Sequence, residues 1–108
     1  MKYVRMTSAS IREALGLAKE ILLERLPIEV VSSDAHSLTL RGGDGTAKIH
    51  AHRHGLDTQI DVNTDQLRTS RLDNEVQYWL TMLPYQPGEL RGRGSPALPA
   101  GLSRQGGT

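Results

Sequence analysis

The sequence predicts an α+β domain: a five-stranded antiparallel sheet with two helices packed on one face, in the order β-α-β-β-β-β-α. Three observations lead there. Two segments carry apolar residues at helical spacing. The stretch between them alternates apolar and polar residues with a period of two. Glycine-bearing turns divide that stretch at intervals that suit short hairpins.

Lys2–Thr7 reads as the first strand, with Val4 and Met6 on one side and Tyr3 and Arg5 on the other, the latter two on the open face of the sheet. Ser10 stands three residues before Glu13, the spacing of a capping box, so a helix is expected over Ile11–Arg25. Its stripe is Ile11, Leu15, Ala18 and Leu22, widened by Ala14 and Ile21. Pro27 closes the segment, because the residue before a proline is pushed away from helical torsions.

Strands follow over 28–32, 36–41, 46–52 and 57–63. Gly42-Gly43-Asp44-Gly45 and His54-Gly55 serve as reversals. Centring the last hairpin on His54-Gly55 pairs Ala51 with Thr58, Ile49 with Ile60 and Ala47 with Val62 on an apolar face. It pairs His52 with Asp57, His50 with Gln59 and Lys48 with Asp61 on a polar face. The preceding hairpin sets Leu40 against Ala47 and Leu38 against Ile49. Ile28 and Val30 join that side when the first hairpin loop centres on Asp34.

A second helix is expected over Ser70–Leu83, with Leu72, Val76, Trp79, Leu80 and Leu83 on one face and Pro84 as its stop. Trp79 is the sole tryptophan in a chain without phenylalanine, which makes it the largest piece of the core. An amphipathic sheet must cover its apolar side, so both helices belong there and the other side stays open.

The domain should occupy residues 1–85. Residues 86–108 hold six of the 11 glycines and three of the five prolines, the composition of a flexible tail. Arg91, Arg93 and Arg104 against Glu89 give that tail a net +2 of the chain's +1, so residues 1–85 sum to −1. That balance creates no general field for nucleic acid or anionic lipid. With no cysteine, disulfides, thiolate metal sites and cysteine nucleophiles are excluded, and a cytoplasmic setting is expected. The start of the chain does not run on into the apolar stretch of a secretory signal, and no run reaches the roughly 20 apolar residues of a membrane span.

Taken together, this order of elements over residues 1–85 resembles the helix-grip and TATA-binding-protein-like families. The likeness is one of topology and transfers no site residues. It implies either an open sheet face that meets DNA or a ligand space between sheet and helix.

Candidate chemistry is sparse. His50, His52 and His54 alternate along one strand, and His50 and His52 with Asp57 form a candidate divalent-metal set. Asp61-Val62-Asn63-Thr64-Asp65 opens like a calcium loop, but Gln66 and Leu72 stand where glycine and glutamate are needed. The glycine turn has no Lys-Ser pair of a phosphate loop after it, and no GxSxG elbow exists. Ser32, Ser33, Asp34 and His36 read as turn chemistry.

The reading is therefore a non-catalytic protein-interaction or assembly domain, with a homodimer as one form and no cofactor. Val31, Arg41, Lys48 and Tyr78 are its candidate contact residues, and Leu17, Leu23 and Met82 are surplus apolar positions on the helices. Two alternatives stand beside it: a small-ligand or metal-binding protein using the His50/His52 face, and nucleic-acid binding through the open face and the basic tail.

Overall fold

The computed structural model describes residues 1–84; the expected Gly/Pro/Arg tail, residues 86–108, lies outside them. The elements are β1 (Lys2–Thr7), α1 (Ile11–Arg25), β2 (Ile28–Ser33), β3 (Ser37–Gly42), β4 (Gly45–His54), β5 (Asp57–Thr64) and α2 (Arg71–Met82). They make one antiparallel sheet in the order β1-β5-β4-β3-β2, with both helices on the same side. The first strand closes beside the last, as the sequence indicates. No helix among the described residues is long and apolar enough to cross a membrane.

Local signals explain the boundaries. Ser10 Oγ accepts from the Glu13 N–H at 3.0 Å and Glu13 Oε1 accepts from the Ser10 N–H at 2.9 Å, the reciprocal capping box that starts α1. Ser70 caps α2 through the Asp73 N–H. Asp34 folds the β2–β3 loop by accepting from the His36 N–H at 2.8 Å and the Ser37 hydroxyl at 2.9 Å. These bonds hold its carboxyl below its ordinary range. Gly43-Asp44 is the two-residue loop between β3 and β4, closed by the Gly42–Gly45 pair.

The core lies between sheet and helices. Leu38, Leu40, Ala47, Ile49, Ala51, Ile60 and Val62 project from the sheet onto Ala14, Leu15, Ala18 and Leu22 of α1 and Leu72, Val76 and Trp79 of α2. Trp79 is 0% exposed, and its indole N–H donates to the Ala14 carbonyl at 3.2 Å, which ties the helices together across the core. The largest fully buried side chains among the described residues are Trp79, Leu22, Leu38, Leu40, Ile49, Ile60 and Leu72. Leu17 also packs against this core, so it is not the surplus contact position expected from its place off the stripe.

Two expectations are corrected. In the β4–β5 hairpin, Gly55-Leu56 forms the loop, with Gly55 at φ +67°, in place of His54-Gly55. Partners consequently move by two: Ile49 faces Val62, Ala51 faces Ile60, His50 faces Asp61, His52 faces Gln59 and His54 faces Asp57. A shift of two preserves which side each residue occupies, so the apolar face survives while every cross-strand partner changes.

The second correction concerns β1, whose sides are reversed. Tyr3 pairs with Val62, Arg5 with Ile60 and Thr7 with Thr58, so these three point toward the helices. Val4 pairs with Asp61 and Met6 with Gln59 on the bare side, and Val4 is 67% exposed.

The reason lies in α2. The Tyr3 hydroxyl donates to Asp73 Oδ2 at 2.7 Å in the first turn of that helix. Arg5 donates from Nε to the Leu80 carbonyl and from an Nη to the Leu83 carbonyl, both at 3.2 Å, at the helix end, where among the described residues the Leu80 carbonyl otherwise takes only the Leu83 N–H at 3.4 Å. The Thr7 hydroxyl donates to the Pro84 carbonyl at 2.7 Å.

Asp73 is 0% exposed and also accepts from the Thr64 and Ser70 hydroxyls, at 2.8 Å for the shortest contact of each. Removing its carboxylate would strand three hydroxyl donors in the interior, at about 1–3 kcal/mol for each that finds no water. We expect Asp73→Ala to lose about 3–5 kcal/mol in urea denaturation, against the 5–15 kcal/mol typical of a domain. Burial, then the hydrogen bond to Asp73 and that carboxylate's charge, push the Tyr3 hydroxyl up to about 12. The folded pKa lies above the ordinary value near 10, so the bond's contribution is whole below about pH 10 and disappears as pH climbs through about 12. Tyrosinate absorbance should show one late-titrating phenol that Tyr3→Phe removes.

Candidate functional site

The outward polar side chains of the strands gather on the bare side of the sheet. The alternation that buries Ala47, Ile49 and Ala51 turns Thr46, Lys48, His50 and His52 outward on β4. The same parity presents Ser37, Thr39 and Arg41 on β3, Gln59, Asp61 and Asn63 on β5, and Lys2, Val4 and Met6 on β1. Read across the strands, these residues fall into rows. Lys2, Asn63, Lys48 and Thr39 form one row; Val4, Asp61, His50 and Ser37 form the next.

The second row and its neighbour hold the imidazoles. The His50 and His52 rings lie 5.6 Å apart, centre to centre. His52 Nδ1 lies 3.8 Å from Asp61 Oδ2, and Asp61 also accepts from the Gln59 amide at 3.1 Å. Asp57 sits opposite His54 at the hairpin end, so the register places it two pairs beyond His52 rather than against it. Among the described residues no three His, Asp or Glu side chains are grouped as metal ligands.

The four candidate contact residues are distributed over three places. Val31 lies on β2, the sheet edge, where the pairing slips between Val30 and Ser32. Such a slip is a bulge, and it interrupts the row of free backbone groups that a second strand would need. Val30 stands opposite Leu40 on the helix side, as the alternation requires. It is nevertheless 38% exposed. Tyr78 is exposed on α2 but carries the Arg25 guanidinium over its ring at 4.5 Å, and Arg25 is itself paired with Glu75 at 2.6 Å. Exposed Leu23 and Met82 lie on the helices as the sequence indicates.

Only Arg41 and Lys48 come together. They line a cleft of about 360 Å³ with Thr46, Asn63, Thr64 and Asp65, on the bare face beside the β3–β4 turn. Asp65 Oδ1 accepts from the Thr46 N–H at 2.8 Å and the Gln66 amide at 3.1 Å, bonds that hold its carboxyl below the usual range. Gly45 allows this wall to close. It has φ +123°, and a Cβ there would lie 2.7 Å from Asp65 Oδ1 and 2.6 Å from Gln66 Cγ. In the sequence Asn63 and Asp65 stand together only as the opening of a calcium loop that fails, and Gly45 only in a turn, with nothing to join them to Arg41 and Lys48. Their meeting depends on the register between β4 and β5. Comparison with protein-family models, curated proteins and solved structures gives no match.

Proposed function

We propose that this chain is a non-catalytic protein-interaction domain, cytoplasmic as its lack of cysteine suggests, and that it works through the bare face of its sheet. One observation carries the reading: β1 turns Val4 and Met6 outward into a face that is otherwise polar. An apolar corner ringed by Lys2, Asp61 and Gln59 has the make-up of a contact surface, an apolar centre with a polar rim.

The competing surfaces are weaker supports. The β2 edge is blunted by its bulge, and Tyr78 on the helix flank is already stacked by Arg25. The displaced carboxyls Glu13 and Asp34 owe their shift to a cap and a turn, and Asp65 owes its own first to the Thr46 N–H of β4, structural origins that give catalysis no support.

Size sets the kind of partner. Four strand spacings of about 4.8 Å and six residues of about 3.3 Å give a face of roughly 19 by 20 Å. That is about half the ~800 Å² that each side of a stable complex commonly buries. The reading is therefore a weak, reversible contact, with a second copy as the simplest partner.

In sedimentation at rising concentration we expect a weak dimer whose dissociation constant rises at least about tenfold in Val4→Asp. The melting temperature should stay nearly unchanged, because Val4 is mostly exposed. Identical association by parent and variant would refute a role for this corner.

A second reading is a divalent metal on the histidine ladder. It is favoured by the 5.6 Å approach of His50 and His52, with Asp61 as the nearest carboxylate. Zinc titration by calorimetry tests it: binding that weakens at least about tenfold in His52→Ala supports the metal, and equal affinity ends the idea.

A further inference from the structure

We propose that the cleft between Arg41 and Lys48 is a site for a small oxyanion, a phosphate or carboxylate group carried by the ligand. The inference rests on the bare face being the working surface and names the chemistry that one end of it recognises.

The cation pair is available. Among the described residues neither Arg41 nor Lys48 makes an ion pair or a side-chain hydrogen bond, and both are exposed. Glu29, Asp61 and Asp65 are the acids beside them on that face. Glu29 lies directly opposite Arg41 on β2, yet the two form no ion pair, and Asp61, diagonal to Lys48, is engaged with Gln59 and His52. Asp65 is committed as an acceptor to the Thr46 N–H and the Gln66 amide, so its charge is partly offset where it stands. The lining of the cleft itself holds two cations and this one engaged carboxylate, and a single bound carboxylate or phosphate monoanion would neutralise that lining.

The neutral groups fit the same ligand. The Asn63 amide and the Thr46 hydroxyl point to the bare side and have no side-chain hydrogen bond among the described residues. Both are donors that an oxyanion can take up. The planar fork of Arg41 suits two oxygens of one anionic group, and Lys48 supplies a point charge. Register brings them together: Arg41 faces Thr46, and Lys48, two residues along the same strand, faces Asn63. A diagonal pair of this kind is about 7–8 Å apart at the backbone, which lets two long side chains converge above the sheet. The volume of about 360 Å³ is at the small end of ligand sites, enough for an anionic group and a short body.

The wall is held by the fold. Gly45 lets the Asp65-Gln66 segment approach the β3–β4 turn more closely than any side chain would allow. The backbone wall therefore persists without a ligand, and the ordering that binding requires falls on the Arg41 and Lys48 side chains.

Amide NMR of the full chain tests the site. Sodium phosphate and sodium acetate are titrated separately at constant ionic strength, with chloride as the balancing anion. The expected result is a saturable shift for phosphate, acetate or both, centred on Thr46, Lys48, Asn63 and Asp65, with the stronger of the two naming the group. Arg41→Gln and Lys48→Gln should each weaken it at least about tenfold, with unchanged melting as the check on folding. Shifts that follow chloride equally, spread over the whole surface, or persist in the Arg41→Gln/Lys48→Gln double variant would overturn the site. Failure here with the Val4→Asp effect intact removes the anion cleft and leaves the bare-face reading standing. Failure of the Val4→Asp effect with anion binding intact does the reverse.

Discussion

The position of α2 depends on β1 gripping it at both ends. Tyr3 reaches Asp73 in the first turn, while Arg5 and Thr7 reach the carbonyls of Leu80, Leu83 and Pro84 at the other end. The lengths match. The four residue steps from Tyr3 to Thr7 cover about 13 Å, and the ten steps from Asp73 to the cap residue Leu83 cover about 15 Å. A strand and a helix running side by side can therefore exchange contacts at both termini without bending. Every group involved is one that a helix end or a buried carboxylate needs: hydroxyl donors for an anion at the N-terminus and a guanidinium for exposed carbonyls at the C-terminus. Trp79, midway along α2, then carries the constraint to α1 through the Ala14 carbonyl.

That grip has a consequence on the far side of the sheet. A strand has two sides and a fixed alternation, so committing Tyr3, Arg5 and Thr7 to the helix sends Val4 and Met6 to water. The fold thus exchanges about two apolar burials for a set of directed hydrogen bonds. It acquires a specific helix orientation and an apolar corner on its bare face from the same choice.

This trade explains what could and could not be seen in the sequence. The capping box of α1, the β3–β4 register and the core stripe of α2 were legible because each is a local pattern with one satisfactory solution. The side assignment of β1 was not, because hydropathy favours burying Val4 and Met6, and the polar targets lie 70 or more residues away. Parity in the β4–β5 hairpin was legible while the partners were not. A glycine at residue 55 can fill either position of a two-residue loop, and the two choices differ by a register shift that leaves both faces unchanged. The candidate site inherits that ambiguity. Arg41 and Lys48 could be placed on the open face from alternation alone, but Asn63 and Asp65 join them only in the register the hairpin adopts.

The bare face is accordingly not a uniform polar surface. Its apolar corner at Val4 follows from the clamp on α2, its imidazoles lie beside Asp61 in the middle, and its unpaired cations stand next to the β3–β4 turn. Each edge limits how a partner can approach. On β2 the bulge at Val31 breaks the backbone row, and on β1 the outward Lys2 adds a charge that an incoming strand would have to desolvate. Sheet extension is thereby discouraged at both sides, which leaves side-chain contact from above as the geometry the fold favours. A ligand arriving that way meets fixed backbone and few strained groups, so selectivity has to come from where the outward side chains put charge. The cleft at Arg41 and Lys48 is where cations stand without a protein acid bound to them, and an anionic group is the chemistry that can use it.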